Sequence, residues 1–247
     1  MKIQIESNII RYLLRNVYFF NGTAYAGKST MVHLLAEKYG AIECGENYHD
    51  CLTCAVDAEH QPNLCYFDTM SGWQEFVTRT PDEYHAWMQG VSREAAELEI
   101  VRLIQLAQTG RRIFVDTNIP LEILHEISDY HHVAIMLSPP HMSVDRFFDR
   151  PDAEKQFIYQ QLLACPDPDA ALANYRRVLE KLNSPENYHQ FAESGFATFV
   201  RDENSTLDGM MKQLEDHFGL ATAKLLWNIG EPRKVVQEET RRCPPAP

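Results

Sequence analysis

Val17–Thr30 reads VYFFNGTAYAGKST. Its first four residues form an apolar run of the length of a buried strand. Gly22, Gly27, Lys28 and Ser29 then fall at the spacing G-x-x-x-x-G-K-S, a phosphate-binding pattern. A helical segment, Ser29 to Tyr39, follows, with Met31, Leu34 and Leu35 on one face and Gly40 as its stop. A strand before the glycines and a helix after them are the context this motif requires. The two glycines allow positive φ and a close approach to a bulky anion. The amides of the loop residues Thr23, Ala24, Tyr25 and Ala26 and the positive end of the helix, which continues into Thr30, converge on one point where a phosphate can sit. Lys28 can reach the β- and γ-phosphates, and the Ser29 hydroxyl can ligate Mg²⁺. The competing reading is a glycine-containing turn with a surface lysine.

The 247 residues suffice for one large α/β domain with insertions, and 45% hydrophobic residues can supply its core. A formal net charge of −12 argues against a nucleic-acid-binding surface or a membrane-surface protein. No apolar run approaches the roughly 20 residues that cross a bilayer. Residues 1–16 carry neither a long apolar core nor a small-residue cleavage site, so they do not read as a signal peptide. These features predict a cytoplasmic protein whose six cysteines are mostly thiols.

Beyond the first helix, Ala41–Cys44 reads as a short strand. The polar segment GENYHDCLTC follows it, beyond the carboxyl end of a sheet strand where ligands gather. Glu43, Glu46, His49 and Asp50 are therefore candidates for substrate contact, for the water shell of a metal, or for a general base. An ordinary polar loop is the alternative. Cys44, Cys51, Cys54 and Cys65 lie in one window, but Cys51-x-x-Cys54 is only half of a zinc site, and semi-buried thiols are the favoured reading. Residues 66–110 read as helical, with Thr80 capping one helix that has Pro81 at its first position, and Ser92 capping a second over Arg93–Gln108. Trp73, Phe76, Tyr84, Trp87 and Met88 could line an acceptor pocket to which Arg79 and Arg93 bring cations. Aromatic rings at such positions more often build core.

Ile113-Phe114-Val115-Asp116 is a buried strand ending in a carboxylate, which can hold Mg²⁺ or its water opposite Ser29; a helix cap is the other role for Asp116. His132–Leu137 is the next strand. A helix carrying Arg146 and Arg150 one turn apart follows, and residues 152–194 continue as a helical insertion able to close as a lid. Arg176 and Arg177 lie within it and read as solvated, salt-bridging residues. Phe196–Val200 is the last strand. Ser205 then reads as the cap of an amphipathic helix with Leu207, Met210, Met211, Leu214 and Phe218. Residues 220–247 read as a tail that could dock on a neighbouring copy, which leaves homo-oligomer formation open.

In this order, GTAYAGKS, VDTN, R-x-x-x-R and a final strand, polar loop and helix make residues 17–219 resemble the P-loop small-molecule kinases. The closest flavour is the gluconate kinase, shikimate kinase, chloramphenicol phosphotransferase and zeta-toxin group, with nucleoside monophosphate kinases further off. The resemblance implies a three-layer α/β P-loop NTPase fold over residues 1–219. It implies a five-stranded parallel sheet of order 2-3-1-4-5, with insertions at 45–110 for substrate and 146–194 for a lid. It implies ATP and Mg²⁺ as cofactors. Gly22, Gly27, Lys28 and Ser29 would then bind phosphate and metal, Asp116 would match the carboxylate after the third strand, Arg146 and Arg150 the lid arginines, and Arg201 the segment that passes the adenine. Two departures are a missing D-x-D after the second strand and the cysteine-rich insertion.

The expected function is transfer of the ATP γ-phosphoryl group to a small molecule bearing a hydroxyl or a phosphate, without nucleic-acid or membrane partners. Lys28, Mg²⁺ on Ser29 and Asp116, and the two lid arginines would stabilise the transfer. The alternatives are a nucleotide-binding NTPase or switch, and a non-catalytic nucleotide-binding protein with a structural metal at the cysteines. A GTPase would carry D-x-x-G and N-K-x-D, and the chain has no N-K-x-D.

Overall fold

The computed structural model describes residues 5–140, 144, 147, 153–202 and 204–220. Arg146 and Arg150 lie outside the described residues, as does the tail from residue 221. Alternation along three strands sets the architecture. Val17 and Phe19 of β1 (Val17–Gly22), Ile113 and Val115 of β3 (Ile113–Asp116), and Val133, Ile135 and Leu137 of β4 (Val133–Leu137) bury one face. Phe20, Phe114, Ala134 and Met136 bury the other. Side chains of successive strand residues point to opposite faces, and strands buried on both faces read as continuous apolar runs.

With β2 (Ile42–Cys44) and β5 (Ala197–Val200), these strands form a five-stranded, all-parallel sheet in the order β2-β3-β1-β4-β5, as expected from the resemblance. The α/β class and the strand order therefore hold. One face is covered by α1 (Ser7–Leu13), the second half of α5 (Pro81–Ala107), α6 (Leu121–Ile127) and α9 (Pro185–Ala192). The other is covered by α2 (Lys28–Tyr39) and α10 (Leu207–His217). Leu220, the first residue assigned to the tail, is itself buried in that second core. No helix among the described residues is long and apolar enough to cross a membrane.

The insertions build a third core. Here α3 (Tyr66–Thr69), α4 (Trp73–Val77), the first half of α5, α7 (Ala153–Leu163) and α8 (Pro168–Leu182) bury Phe76, Val77, Leu162, Tyr175 and Leu179. Trp73, Phe76 and Trp87 belong to this core, so the structure takes them out of the expected acceptor pocket.

Two expected caps differ. Ser92 lies in the middle of α5, which runs unbroken for 27 residues. The start signal at Thr80 is strong: its side chain accepts from the Glu83 amide while Glu83 accepts from the Thr80 amide, a full capping box with proline at the next position. Nothing between forces a stop. Gly90 is tolerated because Asn63 packs against it so closely that a Cβ would meet the Asn63 side chain at 2.4 Å. In α10 the cap is Thr206, which accepts from the Gly209 amide, because Ser205 is engaged with Asp202. Thr80→Ala should cost about 1 kcal/mol, read as a lowered denaturant midpoint with an unchanged slope.

Side chains of α5 pin the end of the cysteine-rich segment. The Glu94 carboxylate accepts from the amides of Asn63 and Leu64 and from the Asn63 side chain, and Trp87 Nε1 donates to the Asn63 carbonyl. Cys44 and Cys65 are buried while Cys51 and Cys54 are exposed. Among the described residues no group of three or more His, Cys, Asp or Glu is placed to hold a metal ion.

Candidate functional site

Parallel strands put their carboxyl ends on one edge, and β1 has β3 on one side and β4 on the other, so the loop after β1 sits where the strand order reverses. That loop is Gly22–Gly27. Gly22 has φ 122° and lies against β4 so tightly that a Cβ would meet the Met136 carbonyl oxygen at 2.0 Å. The next amide, Thr23, donates to that same carbonyl at 3.0 Å. Ser138 grips the loop twice, its amide donating to Thr23 Oγ1 and its hydroxyl to the Ala24 carbonyl. Arg201, just past β5, donates from Nη1 to the Tyr25 carbonyl at 3.0 Å. Tyr25 holds φ 64°, a left-handed conformation costly for a non-glycine residue. Gly27, at φ 91°, turns the chain into α2, whose first amides have no intrahelical acceptor.

Lys28, Ser29 and Asp116 meet below this loop. Asp116 pairs in register with Phe20, and the side chains of such a pair share a face, so it looks toward α2. Ser29 Oγ donates to Asp116 Oδ2 at 2.6 Å, and Lys28 Nζ lies 3.9 Å from Oδ1 and donates to the Thr23 carbonyl. Asp116 is 2% exposed, and among the described residues its buried Oδ1 has no hydrogen-bond donor. Burial pushes its carboxyl pKa up, against the opposing pull of Lys28 and Ser29.

A cleft of about 510 Å³ opens from this point. Its floor is Gly22–Tyr25, Lys28, Ser29 and Asp116. Its far wall comes from Tyr84, Met88 and Gln89 of α5 and from Asn187 and Phe191 of α9. Glu46 and Asn118 form a rim, with Asn118 Nδ2 donating to Glu46 Oε1 at 2.8 Å. Arg93 also lines the cleft, tied to Glu122 at 2.6 Å.

The other expected residues disperse. Ala26 is buried in the core against α2, and Thr30 points outward from α2. Glu43 leaves the site because its register partner is Phe114, on the α2 face, where it meets His33 at 2.9 Å. Asp50 is exposed at the start of a 3-10 turn and does not line the cleft. Arg79 is not in the cleft either: its guanidinium stacks 3.7 Å over Tyr66, on the opposite side of α5. It stands directly before Thr80, the cap of α5, and its guanidinium lies among the rings of Tyr66, Phe76 and Trp87. Arg176 and Arg177 pair along α8 with Glu180 and Asn174, as solvated residues do.

His49 is buried beneath the rim, beside a residue that the sequence did not single out. Glu99 is 2% exposed. Its Oε2 accepts from Tyr48 Oη at 2.9 Å and from Thr117 Oγ1, and its Oε1 is 4.0 Å from His49 Nδ1, beyond hydrogen-bond range. The only available signal was a carboxylate on the apolar face of a helix, between Leu98 and Leu103. Burial pushes Glu99 up to about 7, with Thr117 and Tyr48 pulling the other way, and burial lowers the pKa of His49.

Between the ordinary carboxyl value of 4.5 and about 7, the native protein therefore retains a proton that the unfolded chain has released. Stability falls as pH rises through this window, and the full penalty, roughly 3 kcal/mol, is present above it. Lowering the His49 pKa acts in the opposite sense, removing stability as pH falls below 6.5. Glu99→Gln, which cannot ionise, should therefore gain stability over the native chain at pH 8, and this gain should vanish near pH 4.5. Paired urea melts across that range check it.

Comparison of the chain with protein-family models, curated proteins and solved structures finds no match.

Proposed function

We propose that this chain is a P-loop kinase, an ATP- and Mg²⁺-dependent phosphotransferase acting on a small molecule that bears a hydroxyl or a phosphate. The observation that carries this reading is the contact of Ser29 with Asp116 at 2.6 Å below the glycine loop, with Asp116 Oδ1 buried and lacking a donor among the described residues. A buried, donor-free carboxylate oxygen beside a cationic lysine suits a hydrated metal ion. Mg²⁺ in phosphoryl transfer needs only one or two protein oxygens, its other ligands being phosphates and waters. Ser29 and Asp116 would hold it, and it would neutralise charge developing on the phosphates. The Gly22–Gly27 amides and Lys28 would hold the β- and γ-phosphates. Arg201, braced on the Tyr25 carbonyl, would border the nucleotide. Arg146 and Arg150 are the proposed lid arginines. The Glu46–Asn118 rim would orient the acceptor, with Glu46 or Asp116 receiving its proton. The cytoplasm is the setting proposed here.

Calorimetry with MgATP and MgGTP, followed by ADP release against a panel of nucleosides, nucleotides, sugars and antibiotics, tests the reading. We expect MgATP binding and release stimulated by one acceptor class. Preference for GTP, or ATP turnover that no acceptor stimulates, would favour a switch or NTPase.

A further inference from the structure

A continuous hydrogen-bond chain, buried through its middle and part-buried at its two ends, joins the two sides of the cleft. It starts at the glycine loop, where the Gly22 amide donates to Asn21 Oδ1 at 2.6 Å. Asn21, 3% exposed, donates from Nδ2 to the Ile119 carbonyl at 2.7 Å. The Ile119 amide donates to Thr117 Oγ1 at 3.0 Å, and Thr117 donates to Glu99. Tyr48 reaches Glu99 from the opposite side. Each half of the rim thus lies next to one of the two groups held by Glu99: Asn118 follows Thr117, and Glu46 stands two residues before Tyr48.

We propose that Glu99 is a positioning residue that fixes the Glu46–Asn118 rim against the glycine loop. This inference rests on the phosphotransfer reading. The groups that face Glu99 are Tyr48, His49 and Glu46 from the segment after β2, and Asp116 and Thr117 from the end of β3. None of them is a cation that would compensate a buried carboxylate. An apolar side chain would fill the same space without desolvating a charge. What a carboxylate adds is an acceptor able to take two hydroxyl donors arriving from different elements. That ties two loops to one helix, and a rim displaced by about 1 Å can cost on the order of 10²-fold in rate.

Glu99→Ala and Thr117→Val, with Glu99→Gln and Thr117→Ser as conservative partners, test the proposal. The first two should raise amide exchange in both 46–49 and 117–119, by about tenfold or more. They should leave exchange in α2 and MgATP affinity within about threefold. In ADP release from MgATP they should lower kcat by about tenfold or more with KM for MgATP unmoved. The conservative partners should recover most of each effect. Faster exchange in only one of the two segments, or MgATP affinity falling in step with kcat, would overturn the proposal. If Glu99→Ala fails to fold, the Thr117 pair decides it. A native protein that does not bind MgATP would defeat the phosphotransfer reading instead, while the exchange pattern would still report whether Glu99 couples the two segments.

Discussion

Lys28→Ala should abolish acceptor-dependent ADP release, with a loss of about 10³-fold or more, and leave the melting temperature nearly unchanged. Lys28 Nζ lies 3.9 Å from Asp116 Oδ1, the buried oxygen that has no donor among the described residues. On the proposed phosphotransfer reading, Lys28 would stabilise charge that builds up during transfer, so its loss would fall on the transition state. Its contribution to folding is small, because it makes one 3.3 Å bond to a carbonyl and one long ion pair. Folding and turnover are therefore separable at this residue. Circular dichroism and a coupled ADP assay on the same preparation would measure both, and unimpaired turnover in the variant would defeat the proposed role.

Gly22→Ala should be the most damaging single-methyl change in the chain, costing about 4 kcal/mol or more. Two penalties combine there. The backbone sits at φ 122°, where an L side chain is strained, and the new carbon would lie 2.0 Å from the Met136 carbonyl oxygen. That oxygen cannot yield easily, because it accepts from the Thr23 amide and belongs to β4, an interior strand paired on both sides. Separating β1 from β4 at this point would also displace the loop. Thermal unfolding should show a fall of roughly 10 °C for a domain of this size. Gly27→Ala is a useful contrast: it is strained by φ 91° but its new carbon would meet only ordinary contact, with Arg201 at 3.8 Å.

Much of this arrangement could be read from the residues. The strands were legible because continuous apolar runs such as VYFF, IFVD and HVAIML are buried on both faces, and the loop because glycine, lysine and serine have few other reasons to stand at that spacing. Asp116 was legible as the polar end of an apolar strand. Residues 45–110 were harder. There Ser92 looked like a cap but lies inside a helix that was already started at Thr80, and Gly90, just before it, is a contact point for Asn63. Glu43 and Glu46 are indistinguishable by composition, and only strand register sends one toward His33 and the other to the cleft. Glu99 was invisible for a related reason: a glutamate in a helix normally faces water, and its burial depends on Tyr48 and Thr117, which are distant in the chain.

The unbroken run of α5 has a mechanical consequence. Tyr84, near one end, is packed among the rings of the insertion core, while Glu99 sits under the rim roughly 22 Å further along the axis. A helix of this length behaves as a stiff lever without an internal joint. Any tilt imposed where α8 leans on it would arrive at the far end as displacement beneath the Glu46–Asn118 rim.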